Sequence, residues 1–551
     1  MRKDSSKEKQ VCFVHRNCEG DFIKGAVRAE VCHQLPADYK DDAGNYYCIL
    51  HFPDDNKHNN TNFLSVMRHK LEHNQPYFQH VYFPGGGVLS RRTFKYGVNF
   101  NHAIFSSDAY FNDSEFKGRS TFINSHFMEK AEFSRVKFSQ EVDFTSAEFN
   151  QAAFFSSATF NETVSFKEAI FTDEAYFRNA KFLKKTNFDK AQFNKRTDFY
   201  YAYFSELAEF NATKFHEETY FTSATFSKQA HFYNSDFSKN VSFSGATFSD
   251  NVFFDVAEFA DDAKVSFDKT VFDKAVCSFF KAKISGYIHF VGGNRAIIND
   301  GKASFKEGTT IKESEKTGFI GNESHLDMQH AYIEKPERIT FYNMHLQPSW
   351  FIHVDCKKFV FTNCLWTKSG IKKLWVESEL ESLTKRCIEY PHYLLARSCW
   401  QLADNQEETK YFSNASQFRF MALESKRLYY NKGFKVWSLH WWYWLSSFYG
   451  EYPIWAFIIL LTIIFIFAAI FTGVNFQVCP IDKTITENPC LQRPLEFWEA
   501  VRHSLATATF QNVEFRKPAS GWGEFWIFLE KILAPVQAAL LALAIRRKFM
   551  R

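Results

Sequence analysis

The sequence predicts a mixed, multi-domain membrane protein: a β-solenoid, a helical linker, and two transmembrane helices with a shorter re-entrant helix between them. Three observations carry this. Phenylalanine recurs at alternating steps of five and six residues over residues 100–259 (Phe100, Phe105, Phe111, Phe116, Phe122, Phe127 and onward). The apolar period then becomes helical after about residue 370, and two long apolar stretches close the chain. At 551 residues the chain exceeds one hydrophobic core.

The first element is a Cys/His-rich segment, residues 1–60, with Cys12, Cys18, Cys32, Cys48 and His51. Cys48 and His51 form a C-x2-H pair in YYCILH, half of a tetrahedral zinc set that two upstream cysteines would complete. So short a segment has little core of its own, and a structural zinc is the expected cofactor. The opening MRKDSSKEKQ has no apolar core and does not read as a signal peptide, so the soluble part is expected in the cytoplasm with reduced thiols. Residues 61–99 read as a linker and solenoid cap, broken at PGGG.

Residues 100–280 hold the phenylalanine array. Alanine often sits two residues before the ring, as at Ala147, Ala158 and Ala169, and in extended chain positions i−2 and i share a face. A helix would need apolar steps of three and four. The pattern in FSSATFNETVSFKEAIF (residues 155–171) resembles the Phe-centred form of the pentapeptide-repeat family. That resemblance implies a right-handed quadrilateral β-helix with stacked central phenylalanines. Four rings per coil of about 22 residues give seven to eight coils over the ladder, roughly 35 Å at ~4.8 Å per layer. The register breaks at ADDAKVSF and fades near Cys277; residues 281–368 read as an irregular β continuation.

Residues 369–450 read as a cytoplasmic helical linker, broken at Asp404 and Asn405, with Arg419, Glu424, Lys426 and Arg427 on a solvated face. Residues 451–551 form the membrane end. The stretch 454–474 has no charge and suits a bilayer; residues 525–545 are the second span, ending in RRKFMR. Arg427, Lys432 and Lys435 precede the first span, and Arg546, Arg547, Lys548 and Arg551 follow the second. The positive-inside rule puts both ends in the cytoplasm of a cell with an inner membrane. Cys479 and Cys490 then lie in the outer loop, where a disulfide is expected.

Two spans flanking an amphipathic segment resemble the pore module of two-helix cation channels, and LSSFYGEYP with ALALAIRRKF resembles bacterial proteins that join such a pore to pentapeptide repeats. The resemblance implies a pore helix over residues 494–506 and a filter region at Thr507, Thr509, Phe510, Gln511 and Asn512, with Glu514 as further polar lining. No glycine follows Thr509 within that region, so a potassium filter is not supported. Pro535 is the expected gate hinge, and Ala534, Ala538 and Ala542 form a small-residue stripe.

Two helices cannot enclose a pore alone, so the expected partners are further copies of the chain, four in all, together with membrane lipid, inorganic ions and a cytoplasmic protein or ligand. The expected function is a poorly selective or non-potassium ion pore with a cytoplasmic sensing or scaffolding rod. A membrane-anchored scaffold without conduction is the alternative. A DNA-mimic topoisomerase binder is disfavoured because Lys184, Lys185, Lys190, Lys195 and Arg196 interrupt the acidic surface, and no patch suits nucleic acid. No phosphate loop, nucleophile elbow or HExxH occurs, so no enzymatic activity is expected.

Overall fold

The computed structural model describes residues 35, 37–73, 77–84, 89–292, 297–299, 302–304, 324–366, 372–430, 438–478, 491–511 and 516–549. The chain divides into two compact units, Met1–Thr367 and Lys368–Arg551.

The first unit is a β-solenoid of about eleven turns. Its strands are mostly two residues long and stack into four parallel sheets of 11, 11, 9 and 10 strands. Within the regular array each strand pairs with the one four strands later: Phe105 with Phe127, and Phe127 with Phe149. Four strands therefore make one coil.

The alternation of five and six has a backbone cause. In a five-residue step such as Phe100 to Phe105, His102 adopts φ 56° and the Ala103 N–H donates to the Phe100 carbonyl at 3.0 Å. This is a tight turn with a left-handed third residue. In a six-residue step the phenylalanine carbonyl instead accepts from the next coil, as Phe105 does from Met128 N–H at 2.9 Å. The residue closing the tight turn points into the coil, so it is small: Ala147, Ala158, Ala169 and Ala180 are fully enclosed. Ser114, Thr213 and Ser235 take the same position, and each hydroxyl donates to a buried carbonyl of the preceding coil. Left-handed corners fall on Asp113, Arg135, Lys190, Tyr201 and Val256, with glycine at Gly245. Each non-glycine corner costs about 1–2 kcal/mol, which the core must offset.

That core is stacked phenylalanine. Phe144, Phe166, Phe188 and Phe210 form one column with successive centroids 4.9 Å apart. Rings on adjacent faces meet edge to face, as Phe188 and Phe199 do at 5.5 Å. Both geometries are favourable for aromatic quadrupoles.

Both ends are covered. At the first coil Phe78 stacks on Phe100 and Phe83 on Phe105. Above them sit the turn around Cys48 and helix α1 (Thr61–Glu72), with Phe63 and Met67 buried. Tyr82 N–H donates to the Leu50 carbonyl at 3.0 Å. Asp55 accepts from the hydroxyls of Tyr82 and Ser106, each at 2.6 Å.

The ladder continues past the lapse in the phenylalanine register. Val252 pairs with Cys277, and Cys277 in turn with Leu326, so the interval between partners lengthens twice. A hairpin of Ile297–Asn299 and Lys302–Ser304 lies inside the longer insertion. The last strands are Ile339–Tyr342 and Val360–Thr362; Phe351 of a short 3-10 turn meets Phe341 edge to face, and Trp366 meets Phe361.

The second unit is helical: α2 (Lys372–Lys385), α3 (Pro391–Glu408), α4 (Phe412–Tyr430), α5 (Leu439–Ser447), α6 (Pro453–Thr472), α7 (Phe497–Ala508) and α8 (Gly521–Phe549). α3 runs through Asp404 and Asn405, where a break was expected. The Asn405 side chain is buried against Gln406 instead of competing for the backbone, and the chain turns at Thr409 to Tyr411, with Lys410 at φ 64°. Two helices, Pro453–Thr472 and Gly521–Arg547, are long and apolar enough to cross a membrane. Between them Asn475–Val478 pairs with both Leu491–Pro494 and Arg516–Pro518.

Replacing Phe188 with alanine removes the middle ring of a dry column. The expected loss is about 3–5 kcal/mol of solenoid stability, read by chemical denaturation followed through the β-sheet circular dichroism signal. An unchanged midpoint would contradict the account of the core.

Candidate functional site

The membrane end is built around α7. Its residues Ala500, His503, Ser504 and Thr507 recur at helical spacing and are buried on one face. Ala500 joins Phe467, Ala468 and Phe471 of α6, together with Phe476 and Leu495, in one cluster. Ser504 Oγ lies 3.0 Å from the Ile464 carbonyl on α6 and also bonds Glu530 on α8. Polar groups fix the N-terminal end of α7. Arg493 grips Glu499 at 2.9 and 3.1 Å and holds its carboxyl below the ordinary value, and Arg516 donates to the Glu499 carbonyl at 3.2 Å.

The residues assigned to a filter end this helix. Thr507 is buried in the last turn. Thr509 is the C-cap and turns its hydroxyl back to the Leu505 carbonyl at 3.0 Å. Phe510 is exposed at φ 58°, its N–H donates to the Thr507 carbonyl at 3.1 Å, and the Gln511 N–H reaches the Ala506 carbonyl at 2.8 Å. Those two bonds, 5→2 and 6→1, form a Schellman closure with phenylalanine where glycine is usual. Asn512 and Glu514 lie outside the described residues. Pro535 lies inside α8, which continues uninterrupted around it. Ala534 is enclosed, while Ala538 and Ala542 face outward, beside exposed Phe528, Ile532 and Val536.

A second polar cluster joins α4 to the far end of α8. Glu424 is fully buried and accepts both Nε and Nη2 of Arg427 at 2.9 and 2.6 Å. It also accepts the Tyr449 hydroxyl at 3.0 Å. Burial, and then the Glu424 charge, push the Tyr449 phenol well above its ordinary value. The Tyr449 carbonyl accepts from Arg547 Nη1 and the Tyr443 hydroxyl, each at 2.8 Å. Phe448, Tyr449 and Gly450 are all left-handed, which turns the chain sharply between α5 and α6. Gln537 of α8 donates to the Ser446 and Ala456 carbonyls at 2.7 and 2.9 Å. The expectation of a solvated charged face therefore fails at Arg419, Glu424 and Arg427, which are buried. The signal was available in the paired spacing of Glu424 and Arg427, at i and i+3 on a helix.

In the first unit, Cys48 and His51 converge as the C-x2-H spacing suggests. Cys48 Sγ is 3.2 Å from His51 Nδ1, and His51 Nε2 is 3.2 Å from the Gln79 carbonyl. A ring held by a carbonyl on one nitrogen and facing sulfur with the other suits a metal-ligating histidine. The pair supplies two donors of four. No group of three or more His, Cys, Asp or Glu able to hold a metal occurs among the described residues, and Cys12, Cys18 and Cys32 lie outside them. Lys57, which sequence reading did not single out, sits beneath this turn, enclosed by protein. Its Nζ donates to the carbonyls of Ile49, Leu50 and Phe52 at 3.2, 3.0 and 2.7 Å. Burial pulls the ammonium down to about 7, but three carbonyl acceptors need three hydrogens, so the charged form fits the geometry.

The family described as Pentapeptide repeats (9 copies) matches residues 122–170, 133–181, 155–202 and 199–247. That segment lies wholly within the four-sheet solenoid, whose coils there are thus pentapeptide repeats. No curated protein and no solved structure matches the chain.

Replacing Lys57 with methionine keeps the stem and strands three buried carbonyls. The expected cost is about 3 kcal/mol, localised to residues 37–83 in hydrogen exchange. Unchanged protection there would show that the ammonium is not what holds the turn.

Proposed function

We propose that the chain assembles as a homo-oligomer, a tetramer, in the inner membrane, and that α6, α7 and α8 of each copy line a pore for small ions. The observation that carries this reading is the seating of α7. A short amphipathic helix lies between two long apolar ones, with Ser504 bonded to both. The apolar side chains left exposed on α6 and α8, among them Phe465, Ile466, Phe528 and Val536, supply surface for lipid and for neighbouring copies. In this reading α7 is re-entrant, both termini are cytoplasmic, Pro535 is the gate hinge, and the right-handed solenoid serves as a cytoplasmic sensing or scaffolding element. Thr507, Thr509, Gln511, Asn512 and Glu514 provide hydroxyl, amide and carboxylate lining, without the glycines of a potassium filter, so conduction is poorly selective. The buried link from Glu424 through Tyr449 to Arg547 supplies a route from the helical hairpin to the end of the second span.

One observation favours the alternative of a membrane-anchored scaffold without conduction. Thr507 to Gln511 close the helix by Schellman bonds and present no extended run of carbonyls. Recordings from the purified full-length protein in planar bilayers separate the two. The pore reading expects unitary currents carried by both sodium and potassium, with altered permeability ratios in Thr509→Ala. Silence in every ionic condition would sink it.

A structural zinc held by Cys48, His51 and two of Cys12, Cys18 and Cys32 is part of the same proposal, supported by the Cys48–His51 approach and the carbonyl behind the ring. Elemental analysis is expected to find one zinc per chain, released by chelation with a drop in melting temperature and lost in Cys48→Ser. Metal-free protein of unchanged stability would remove the site. Cys479 and Cys490 lie outside the described residues; a disulfide between them is supported by the flanking register, in which Val478 pairs with Leu491. Maleimide labelling of both cysteines without reduction would refute it.

A further inference from the structure

Glu530 is fully enclosed at the point where α6, α7 and α8 meet. Ser504 Oγ on α7 stands between the Glu530 Oε1 atom and the Ile464 main-chain carbonyl on α6. The other carboxyl oxygen, Oε2, has no hydrogen-bond partner. No ion pair reaches Glu530 among the described residues. α6 carries no titratable group. On α7, His503 is buried against the rings of Phe471 and Phe476 at 5.2 and 4.9 Å with neither nitrogen bonded, and Arg502 is exposed. α8 adds Glu524 and Lys531, both exposed, and the neighbouring strand adds Arg516, committed to Glu499.

The hydrogen count at this junction is decisive. A serine hydroxyl has one hydrogen to give. If Glu530 is an anion, Ser504 must donate to it; the Ile464 contact then has no proton, and a charged oxygen is buried bare, an expensive arrangement inside a membrane. If Glu530 carries a proton, it donates to Ser504, Ser504 donates to the Ile464 carbonyl, and one chain of donors ties three helices together. A hard metal cation is a poorer occupant, because two carboxyl oxygens, one hydroxyl and one carbonyl fall short of the six or more oxygens such ions take.

We propose that Glu530 is an intramembrane proton-binding site whose occupied state latches α7 to both spans, and whose release of the proton to water frees α7. The proposal rests on the reading of α6 and α8 as membrane spans and is independent of whether the assembly conducts. Raising the pH unlatches α7; lowering it closes the chain.

The test uses full-length protein in lipid vesicles with ¹³C-labelled glutamate. Infrared spectroscopy at neutral pH is expected to show an isotope-shifted C=O band of a protonated carboxyl, absent in Glu530→Gln and displaced in Ser504→Ala. Hydrogen exchange in α7, corrected against an unstructured peptide at each pH, is expected to accelerate as pH rises in the wild type and to stay flat in Glu530→Gln, whose amide can still donate to Ser504. A wild-type spectrum without the band overturns the proposal whatever the variants do, and so does a band that persists in Glu530→Gln or an α7 response shared by both proteins. Vesicles that show the band and the exchange response but pass no current would overturn the pore and leave the proton site standing.

Discussion

Each phenylalanine of the array lies on the matching ring of the next coil, and that superposition holds only if the chain makes the same corner at the same place in every coil. The corner is the tight turn of the five-residue step, in which the phenylalanine carbonyl is used locally and the third residue goes left-handed. A single inserted residue would shift every later side chain to the wrong face. Where the chain does insert residues, after Phe259 and after Val291, it places them between strands so that the pairs on either side keep their phase. Stability is then nearly one-dimensional: each coil is held by its two neighbours, and the exposed end layers must be covered. The Cys48 turn at one end, and Phe351 with Trp366 at the other, do that work.

The solenoid was legible because its period is carried by the largest apolar side chain and its smallest partner. The corners themselves were not. They fall on Asp113, Arg135, Lys190 and Tyr201, residues with no common chemistry, because the backbone bond and the core impose the conformation against local preference. The pairing of Cys277 with Leu326 was equally hidden, since no regular spacing survives so long an insertion. At Asn405 a residue that often ends helices is kept inside one by burial of its side chain.

The membrane end inverts this balance. Length and apolar composition reveal both long helices, whereas Glu424 reads as part of a solvated face and the sequence names no partner for Gln537 or Glu530. Glu424 is spent on Arg427 of its own helix and on Tyr449 of the turn after α5, Gln537 on main-chain carbonyls of α5 and α6, and Glu530 on Ser504 of α7. A linear sequence shows a polar residue but not its distant partner, as between Glu424 and Tyr449 or Gln537 and Ser446. Such ties matter most where apolar side chains cannot discriminate one helix from another, because lipid tails are as apolar as the helices themselves.

The pore reading needs several copies to surround one axis, since α6, α7 and α8 of a single chain pack on each other around a filled cluster. Native mass spectrometry of the full-length protein released from lipid nanodiscs tests that requirement most directly. The account predicts four chains per particle, stable to dilution. A monomer at every concentration would contradict it.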